Sequence, residues 1–544
     1  MTTYNNKKSR KNQIIYTGSA PCGTGKSHTM RDIIEFSDKN CLIVLPTIDL
    51  IKEQEQQLGN YNFTDSRSIH SEDELAGTVK QRLTEYFIHA PDHGQVLFIT
   101  WESYKTLGSI PRRDNWKIFI DEIPQIDRYG KIRLKYNPQV LTNILTVVPV
   151  GNGLGMLVPT KQSNIKNVVH DGIKEDDSYK SFDDLLYDVY SENFDVFVNV
   201  EKWEQMANGS QEEGSYVPYL SMMNPNLFNR VTLMGANIDF SILYHWFKNH
   251  YNVTFQRNRI LCNRLKQPFD YKGKIVADYF FDYGIWSKTK MKKLKTEMDS
   301  KLCDELKSNE FLLCTNVDTL DKTGFNAGQW SVEGLEGCCK VPTVVKGSNS
   351  YIKYETVVYL PALNRDSVHL GMLNNLGISP DVVMVATGYE NLYQTLLRSA
   401  LRDNKFSGTV RLICPTSREI DFLEHVMNCK IPRKQIDDNE YHEIDSNFVI
   451  WAAKGGHNEI SIGKFKHVID EIKEQGFVEK KKSNLIQMGL TESQWKRNLN
   501  KFEDELKTNG IEIVTANLSK SENKKKNYTF YVYNFDKFNK FVHP

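Results

Sequence analysis

From residue 14 onward the chain alternates short apolar runs with stretches of helical spacing. Ile14 to Tyr16 reads as a strand running into a glycine-rich loop, and a helix is expected from Ser27 to Phe36. Cys41 to Leu45 is continuously apolar, the mark of a strand buried on both faces. Thr47 to Leu58 has helical spacing, with Thr47 placed to cap it. Val96 to Thr100 and Lys117 to Ile120 are two further strands, the last ending at Asp121. Strands alternating with helices imply a parallel sheet with helices on both faces.

The rhythm breaks between about Gln125 and Arg230. This stretch holds a glycine-rich segment, Gly151 to Gly155, and an acidic amphipathic one, Glu175 to Asp195. It reads as an insertion or accessory domain. Val231 to Met234 resumes a strand. A second alternating block runs from about Ile260 to Phe422, with strands expected at Phe311 to Cys314, Thr356 to Leu360, Val382 to Ala386 and Thr409 to Cys414. The last 90 or so residues change character. Helical patterns at Lys464 to Gln475, Ser483 to Gly489 and Glu492 to Thr508 precede two strands, Ile511 to Ala516 and Tyr528 to Tyr533. Helix-turn-helix plus a two-stranded ribbon is the outline of a winged helix.

Composition narrows this picture only a little. A chain of 544 residues implies three or four domains. Apolar residues at 40% and charged residues at 25% are ordinary for a globular protein. The net charge of +1 excludes a polycation, so any nucleic-acid surface must concentrate its basic residues locally. Residues 455–544 carry such a bias, with 16 Lys and Arg against 12 Asp and Glu. Its clusters are Lys480-Lys481-Lys482, Lys496-Arg497 and Lys524-Lys525-Lys526. No apolar run suits a membrane span, so no membrane partner is expected. The basic N-terminus, with Lys7, Lys8, Arg10 and Lys11, has no hydrophobic stretch of a secretory signal behind it. The nine cysteines are scattered without a Cys-x-x-Cys pair, which fits a reducing cytoplasm.

Two short segments carry chemistry. Ala20-Pro21-Cys22-Gly23-Thr24-Gly25-Lys26-Ser27 lies between a strand and a helix. Glycines at 23 and 25 allow backbone N–H groups to turn toward phosphate oxygens. Lys26 offers a point charge to terminal phosphates and Ser27 a hydroxyl to Mg2+, while the following helix aims its positive end at the same place. The general pattern asks for Gly where Ala20 stands. The second segment is Ile118-Phe119-Ile120-Asp121-Glu122. An apolar strand ending in two acids puts Asp121 beside the phosphates to hold Mg2+, and Glu122 in place to polarise an attacking water.

With these segments the sequence resembles the superfamily 2 DNA and RNA helicases, of DEAD/DEAH-like kind. Ala20 to Ser27 is similar to their motif I, and Asp121-Glu122-Ile123-Pro124 looks like a variant of motif II. Pro46-Thr47-Ile48-Asp49-Leu50, with Gln54 downstream, resembles motif Ia, and Ile99-Thr100-Trp101-Glu102 the strand-end segment that also touches the nucleic-acid backbone. Gly235-Ala236-Asn237 stands where motif III belongs but matches it poorly. In the second block, Gly377 to Val382 looks like motif V, followed by a strand. Tyr393-Gln394-Thr395-Leu396-Leu397-Arg398-Ser399-Ala400-Leu401-Arg402 resembles motif VI. Gln394 and Arg398 keep the family spacing, Leu397 replaces its glycine, and Arg402 falls one residue late. On one helix, 394, 398 and 402 share a face. Either arginine is then a candidate finger. No adenine-reading Gln motif is evident, although Gln13 exists.

The resemblance implies an α/β fold of two RecA-like, phosphate-loop NTPase domains, with a winged-helix-like α+β domain behind them. The expected division is 1–124 with 231–255 for the first domain, 125–230 for the insertion, 256–435 for the second and 455–544 for the last. ATP and Mg2+ are the expected cofactors. Nucleic acid is the expected partner, DNA rather than RNA, contacted by Pro46, Thr47, Thr100, Lys496 and Arg497. The insertion or the last domain could also meet replication proteins. The reading is a helicase or translocase, with unwinding in replication or repair. A duplex translocase stays open, as does an ATP-switched initiator or adaptor that binds DNA without unwinding it. The unusual insertion and compact motifs suggest a phage or mobile-element origin, in a bacterial or infected host cytoplasm.

Overall fold

The structure is a computed structural model. It describes residues 13–436, with interruptions of which the longest are 170–181, 317–337 and 342–350, together with 440, 442, 472–475, 477–479, 506, 511–519 and 525–542. The chain divides into two compact units, residues 1–448 and 449–544.

The first unit opens with strands β1 (Ile14–Ser19), β2 (Asn40–Leu45), β3 (Asp65–Ile69), β4 (Gln95–Thr100) and β5 (Trp116–Asp121). An insertion follows, with β6 (Asp127–Ile132), β7 (Leu145–Gly151), β8 (Leu154–Pro159), β9 (Phe194–Asn199) and β10 (Val217–Met223). Then come β11 (Val231–Gly235) and β12 (Thr254–Arg257), which return to the first sheet. That sheet has the order β12-β1-β11-β5-β2-β4-β3, and each of its pairings is parallel. β2 is buried throughout, as its apolar run requires. Helices Lys26–Glu35 and Ile48–Leu58 lay Met30, Ile34, Ile51 and Leu58 against Cys41, Ile43 and Phe98. Thr47 does cap the second of these, its hydroxyl accepting from Leu50 N at 3.3 Å. Leu261, Cys262 and Leu265 join the same core, so this lobe reaches past residue 255.

The insertion is a separate antiparallel sheet of order β6-β10-β9-β8-β7. Gly151 (φ 104°) and Gly153 (φ 73°) with Asn152 (φ 53°) make the tight β7–β8 turn, a run of positive φ that glycine tolerates. Helix Asp183–Tyr190, within the acidic stretch, buries Leu185, Leu186 and Val189. Among the described residues, several contacts tie the insertion to the second lobe, Lys131 with Asp366 at 3.8 Å among them. Asp127 meets His369 at 3.0 Å and Arg365 at 3.3 Å, and Asn152 and Asn375 exchange side-chain-to-backbone bonds at 2.9 and 3.1 Å. Burial works against ionising Asp127, but the bond from His369 and the charge of Arg365 outweigh it, and its pKa lies below the ordinary value.

The second lobe is built on β13 (Ile275–Phe281), β14 (Phe311–Cys314), β15 (Cys338–Val341), β16 (Thr356–Tyr359), β17 (Val410–Thr416) and β18 (Arg433–Gln435). Its order is β15-β14-β16-β17-β13-β18, again parallel at every pairing. The protein is thus α/β, with two parallel-sheet lobes. One expected strand is absent. Val382 to Ala386 lies in helix Pro380–Met384 and the π-helical turn Val385–Tyr389. Ser379 caps this helix, accepting from Val382 N at 3.3 Å, and Pro380 fits its first position, so the local chemistry starts a helix despite the apolar, β-branched run.

In the second unit, β19 (Phe477–Glu479), β20 (Glu512–Ser519) and β21 (Lys525–Val532) form an antiparallel sheet of order β19-β21-β20. Helix Phe535–Val542 follows. The expected helices at Ser483 to Gly489 and Glu492 to Thr508 lie outside the described residues but for Leu506, and so do Lys496 and Arg497.

Candidate functional site

In an open parallel sheet the carboxyl ends of the strands offer the crevice for a ligand. The sequence motifs gather there. The phosphate loop leaves β1, Asp121 ends β5, and β11 lies between those two strands. The backbone N–H of Ala20 donates to Gly235 O at 2.9 Å, pinning the start of the loop to the end of β11. Gly23 and Gly25 have φ of 85° and 83°, a backbone that a side chain would strain. Lys26 Nζ donates to the loop carbonyls of Ala20 (2.7 Å) and Pro21 (2.9 Å), and Thr24 Oγ1 donates to Pro21 O at 2.9 Å. Ser27 Oγ donates to Asp121 Oδ2 at 3.0 Å. The hydroxyl and the carboxylate expected to hold Mg2+ are therefore within hydrogen-bond distance of each other.

Glu122, next along, takes φ 66°, unusual for a residue with a side chain. Its carboxylate meets Arg398 of the second lobe, Oε1 to Nη2 at 3.4 Å. Gln394, Arg398 and Arg402 do not share one continuous helix. Helix Glu390–Leu396 stops, Arg398 sits in the turn after it, and Ala400–Arg402 is a short 3-10 turn. All three nevertheless line a single cavity of about 620 Å³ with Cys22, Gly23, Lys26, Ser27, Asp121 and Glu122. Arg402 Nη1 lies 3.6 Å from where a Cβ on Gly23 would stand, so its guanidinium faces the phosphate loop. Burial, and then the like charge of Arg398, lower the Arg402 pKa.

Other expected residues are placed but have local tasks. Pro46 and Thr47 follow β2, and Thr100 ends β4 beside Leu45, so all three stand on the same sheet edge. Thr100 Oγ1 accepts from Ser103 N at 3.2 Å and caps helix Trp101–Lys105. Gln13 is at the start of β1, the end opposite the phosphate loop, and its amide donates to Pro225 O.

The cavity also holds residues that the motifs did not announce. Glu390 binds Asn237 and Gln394, each at 2.8 Å, and burial pushes its pKa up to about 7 against those two bonds. Its signal was available, since Glu390 precedes Gln394 by four residues and shares its helical face. Arg31, which donates to Gln54 Oε1 at 2.6 Å, and Arg365 are further cations in the wall.

No protein-family model matches the chain, and no curated protein does. Among solved structures it is similar to an apo XPD structure, with 11% identity and a TM-score of 0.43, over 78% of this chain and 98% of that one. It is also similar to Xpd4 of S. tokodaii, with 11% identity and a TM-score of 0.41, over 78% and 96%. A third likeness is to UvsW of T4, with 11% identity and a TM-score of 0.17, over 82% of this chain and 71% of that one.

Proposed function

We propose that the protein is a nucleic-acid-dependent ATPase of superfamily 2 kind, a helicase or translocase that acts on DNA. The observation that carries the reading is the closure of one cavity by both lobes. Ser27 and Asp121 stand 3.0 Å apart on one side, and Arg398 and Arg402 line it from the other.

The residues fit ATP with Mg2+. Hard oxygen donors, the Ser27 hydroxyl and the Asp121 carboxylate, suit that cation. When bound, Mg2+ neutralises charge on the phosphate oxygens. Lys26 would exchange its loop carbonyls for terminal phosphate oxygens, and the positive-φ glycines leave backbone N–H groups for the rest. Glu122 would orient the attacking water and accept its proton. Arg402 would meet charge that develops on the transferred group. Because the arginines come from the second lobe, the site is complete only when the lobes are together. Opening and closing of the cleft would then move nucleic acid along the sheet edge that carries Pro46, Thr47 and Thr100.

The test is ATP hydrolysis measured alone and with single-stranded DNA, duplex DNA and RNA. Stimulation by single-stranded DNA, with displacement of a labelled strand, is the expected result. Stimulation by duplex without displacement would mean a duplex translocase. Hydrolysis indifferent to every nucleic acid would overturn the motor and leave an ATP-switched DNA-binding protein.

A further inference from the structure

A line of hydrogen bonds crosses the cleft behind the phosphate loop. The Cys22 thiol donates to Gln394 Oε1 at 3.0 Å, Gln394 Nε2 donates to Glu390 Oε1 at 2.8 Å, and Asn237 Nδ2 donates to Glu390 Oε2 at 2.8 Å. Cys22 and Asn237 belong to the first lobe, one in the phosphate loop and one just past β11. Gln394 and Glu390 belong to the second. We propose that Glu390 is a positioning residue that sets the two lobes in register across the nucleotide cleft, through Gln394 to the phosphate loop and through Asn237 to the end of β11. The proposal rests on the nucleotide-hydrolysis reading of this cavity.

The polarity of the line explains why a carboxylate stands at 390. A thiol is a donor here, so Gln394 must turn its oxygen toward Cys22 and its NH2 toward Glu390. Asn237 also presents an NH2. Two donors then converge on one side chain, and a carboxylate accepts from both through separate oxygens. A glutamine at 390 would set one NH2 against another and leave a donor unpaired or flip the whole line.

The backbone is shaped to deliver this side chain. The π-helical turn Val385–Tyr389 immediately precedes Glu390. An extra residue in a turn rotates the next helical turn by about 100° relative to a regular helix. After it, Glu390, Asn391 and Gln394 all line the cavity. Charged groups around Glu390 include Lys26 of the phosphate loop, which favours its ionised form, and Glu122 just past β5, which opposes it, with Arg398 and Arg402 in the same cavity wall. With its pKa pushed up to about 7, Glu390 changes charge near neutrality, and protonation takes one acceptor from the line.

The experiment uses the full chain with E390A, E390Q and E390D, each checked for folding by its melting temperature. Two readouts are taken. One is kcat and KM for ATP between pH 6 and 8.5. The other is the rate at which N-ethylmaleimide labels Cys22 without nucleotide, followed by mass spectrometry of its peptide. In E390A and E390Q, kcat is expected to fall by about tenfold, the worth of a buried hydrogen bond to a charged group, with a smaller change in KM. The kcat limb near pH 7 should vanish in both, and Cys22 should label faster because Gln394 is released. E390D keeps the charge but shortens the reach, and is expected between wild type and E390A in both readouts. It decides the matter alone should the other two not fold. Unchanged Cys22 labelling overturns the proposal, and so does faster labelling with wild-type kcat. If the wild-type protein hydrolyses no ATP, the nucleotide reading fails by itself, while the labelling still tests whether Glu390 joins the lobes.

Discussion

The Arg398 guanidinium and the Glu122 carboxylate meet at 3.4 Å although 276 positions separate them in the chain. The arginine is almost fully buried and the glutamate is one-quarter exposed. This pair bears on two arginines that the sequence leaves as alternative candidates, with a lean to Arg402. Arg398 already has a carboxylate partner, and it holds the residue proposed to polarise water. Arg402 has no acceptor among the described residues and points at Gly23. On the proposed reading Arg402 would meet the phosphates, whereas Arg398 would hold Glu122 in place.

The first prediction separates their roles. Arg402→Ala should cut kcat by about 1000-fold while nucleotide still binds, the magnitude found when an arginine finger is removed from phosphate-loop enzymes. Arg398→Ala should have a smaller effect on kcat, since it loosens Glu122 rather than removing charge from the reacting group. Steady-state rates and nucleotide Kd values for both variants check this. Normal turnover in both would end the two-lobe reading.

Glu122→Gln gives a different signature. The amide keeps its size and can still receive a hydrogen bond from Arg398, but it cannot take the water's proton. Hydrolysis should fall by about 10²- to 10⁴-fold with binding of ATP and Mg2+ retained. A trapped ATP-bound complex, seen by filter binding, is the expected outcome. Loss of ATP binding instead would make Glu122 a structural residue, its φ of 66° serving the turn after β5.

How much of this was legible depends on where each signal resides. The phosphate loop and the Asp121-Glu122 pair are local patterns, and the fold brings Ser27 and Asp121 within hydrogen-bond distance as the spacing requires. Buried central strands such as β2 announce themselves by continuous apolar character. Edge strands do not: β3 reads Asp-Ser-Arg-Ser-Ile and β18 Arg-Lys-Gln, with little apolar surface to mark them. Arg433 in β18 is nevertheless buried, because Asp421 at 2.7 Å and Glu424 at 2.8 Å compensate its charge. No periodicity reveals such pairing. The run Val382 to Ala386 misled in the opposite direction, since tertiary packing and the Ser379-Pro380 start overrode β-branched preference. Of the line through Glu390, only the step to Gln394 on the same helix is local; its ends at Cys22 and Asn237 were invisible because they come from distant segments of the other lobe.

The second unit allows a test from charge alone. If the lysine clusters of residues 455–544 contact phosphates, each neutralised phosphate adds about 0.9 to the log–log salt slope on duplex DNA. Replacing Lys524, Lys525 and Lys526 by glutamine in the full chain should weaken DNA binding and flatten that slope. Titration on labelled DNA at several salt concentrations measures both. Equal affinity and slope would mean that this cluster faces solvent or a protein.

The last prediction concerns stability and Glu419. This residue lies in helix Ser417–Met427, 6% exposed, with its carboxylate receiving the Thr416 hydroxyl. Burial raises its pKa from 4.5 to about 7, and the Thr416 bond offsets only part of that. The folded value lies above the unfolded one, so between roughly pH 4.5 and 7 the folded state holds a proton that the unfolded state has released. Stability must therefore fall as pH rises through this window and level off above it. For Glu419 alone the fall is on the order of 3 kcal/mol at most. Asp188, raised to about 6, and Glu390, raised to about 7, act in the same direction, so the wild-type slope sums several groups. Glu419→Gln isolates one of them, because the amide is neutral at every pH. The variant should gain on wild type as pH goes from 5 to 8, by a few degrees in melting temperature for a domain of this size. Melting curves of both proteins at the two pH values measure it. A difference independent of pH would mean that Glu419 keeps one charge state throughout, and that the interior around Thr416 stabilises its anion far better than its burial suggests.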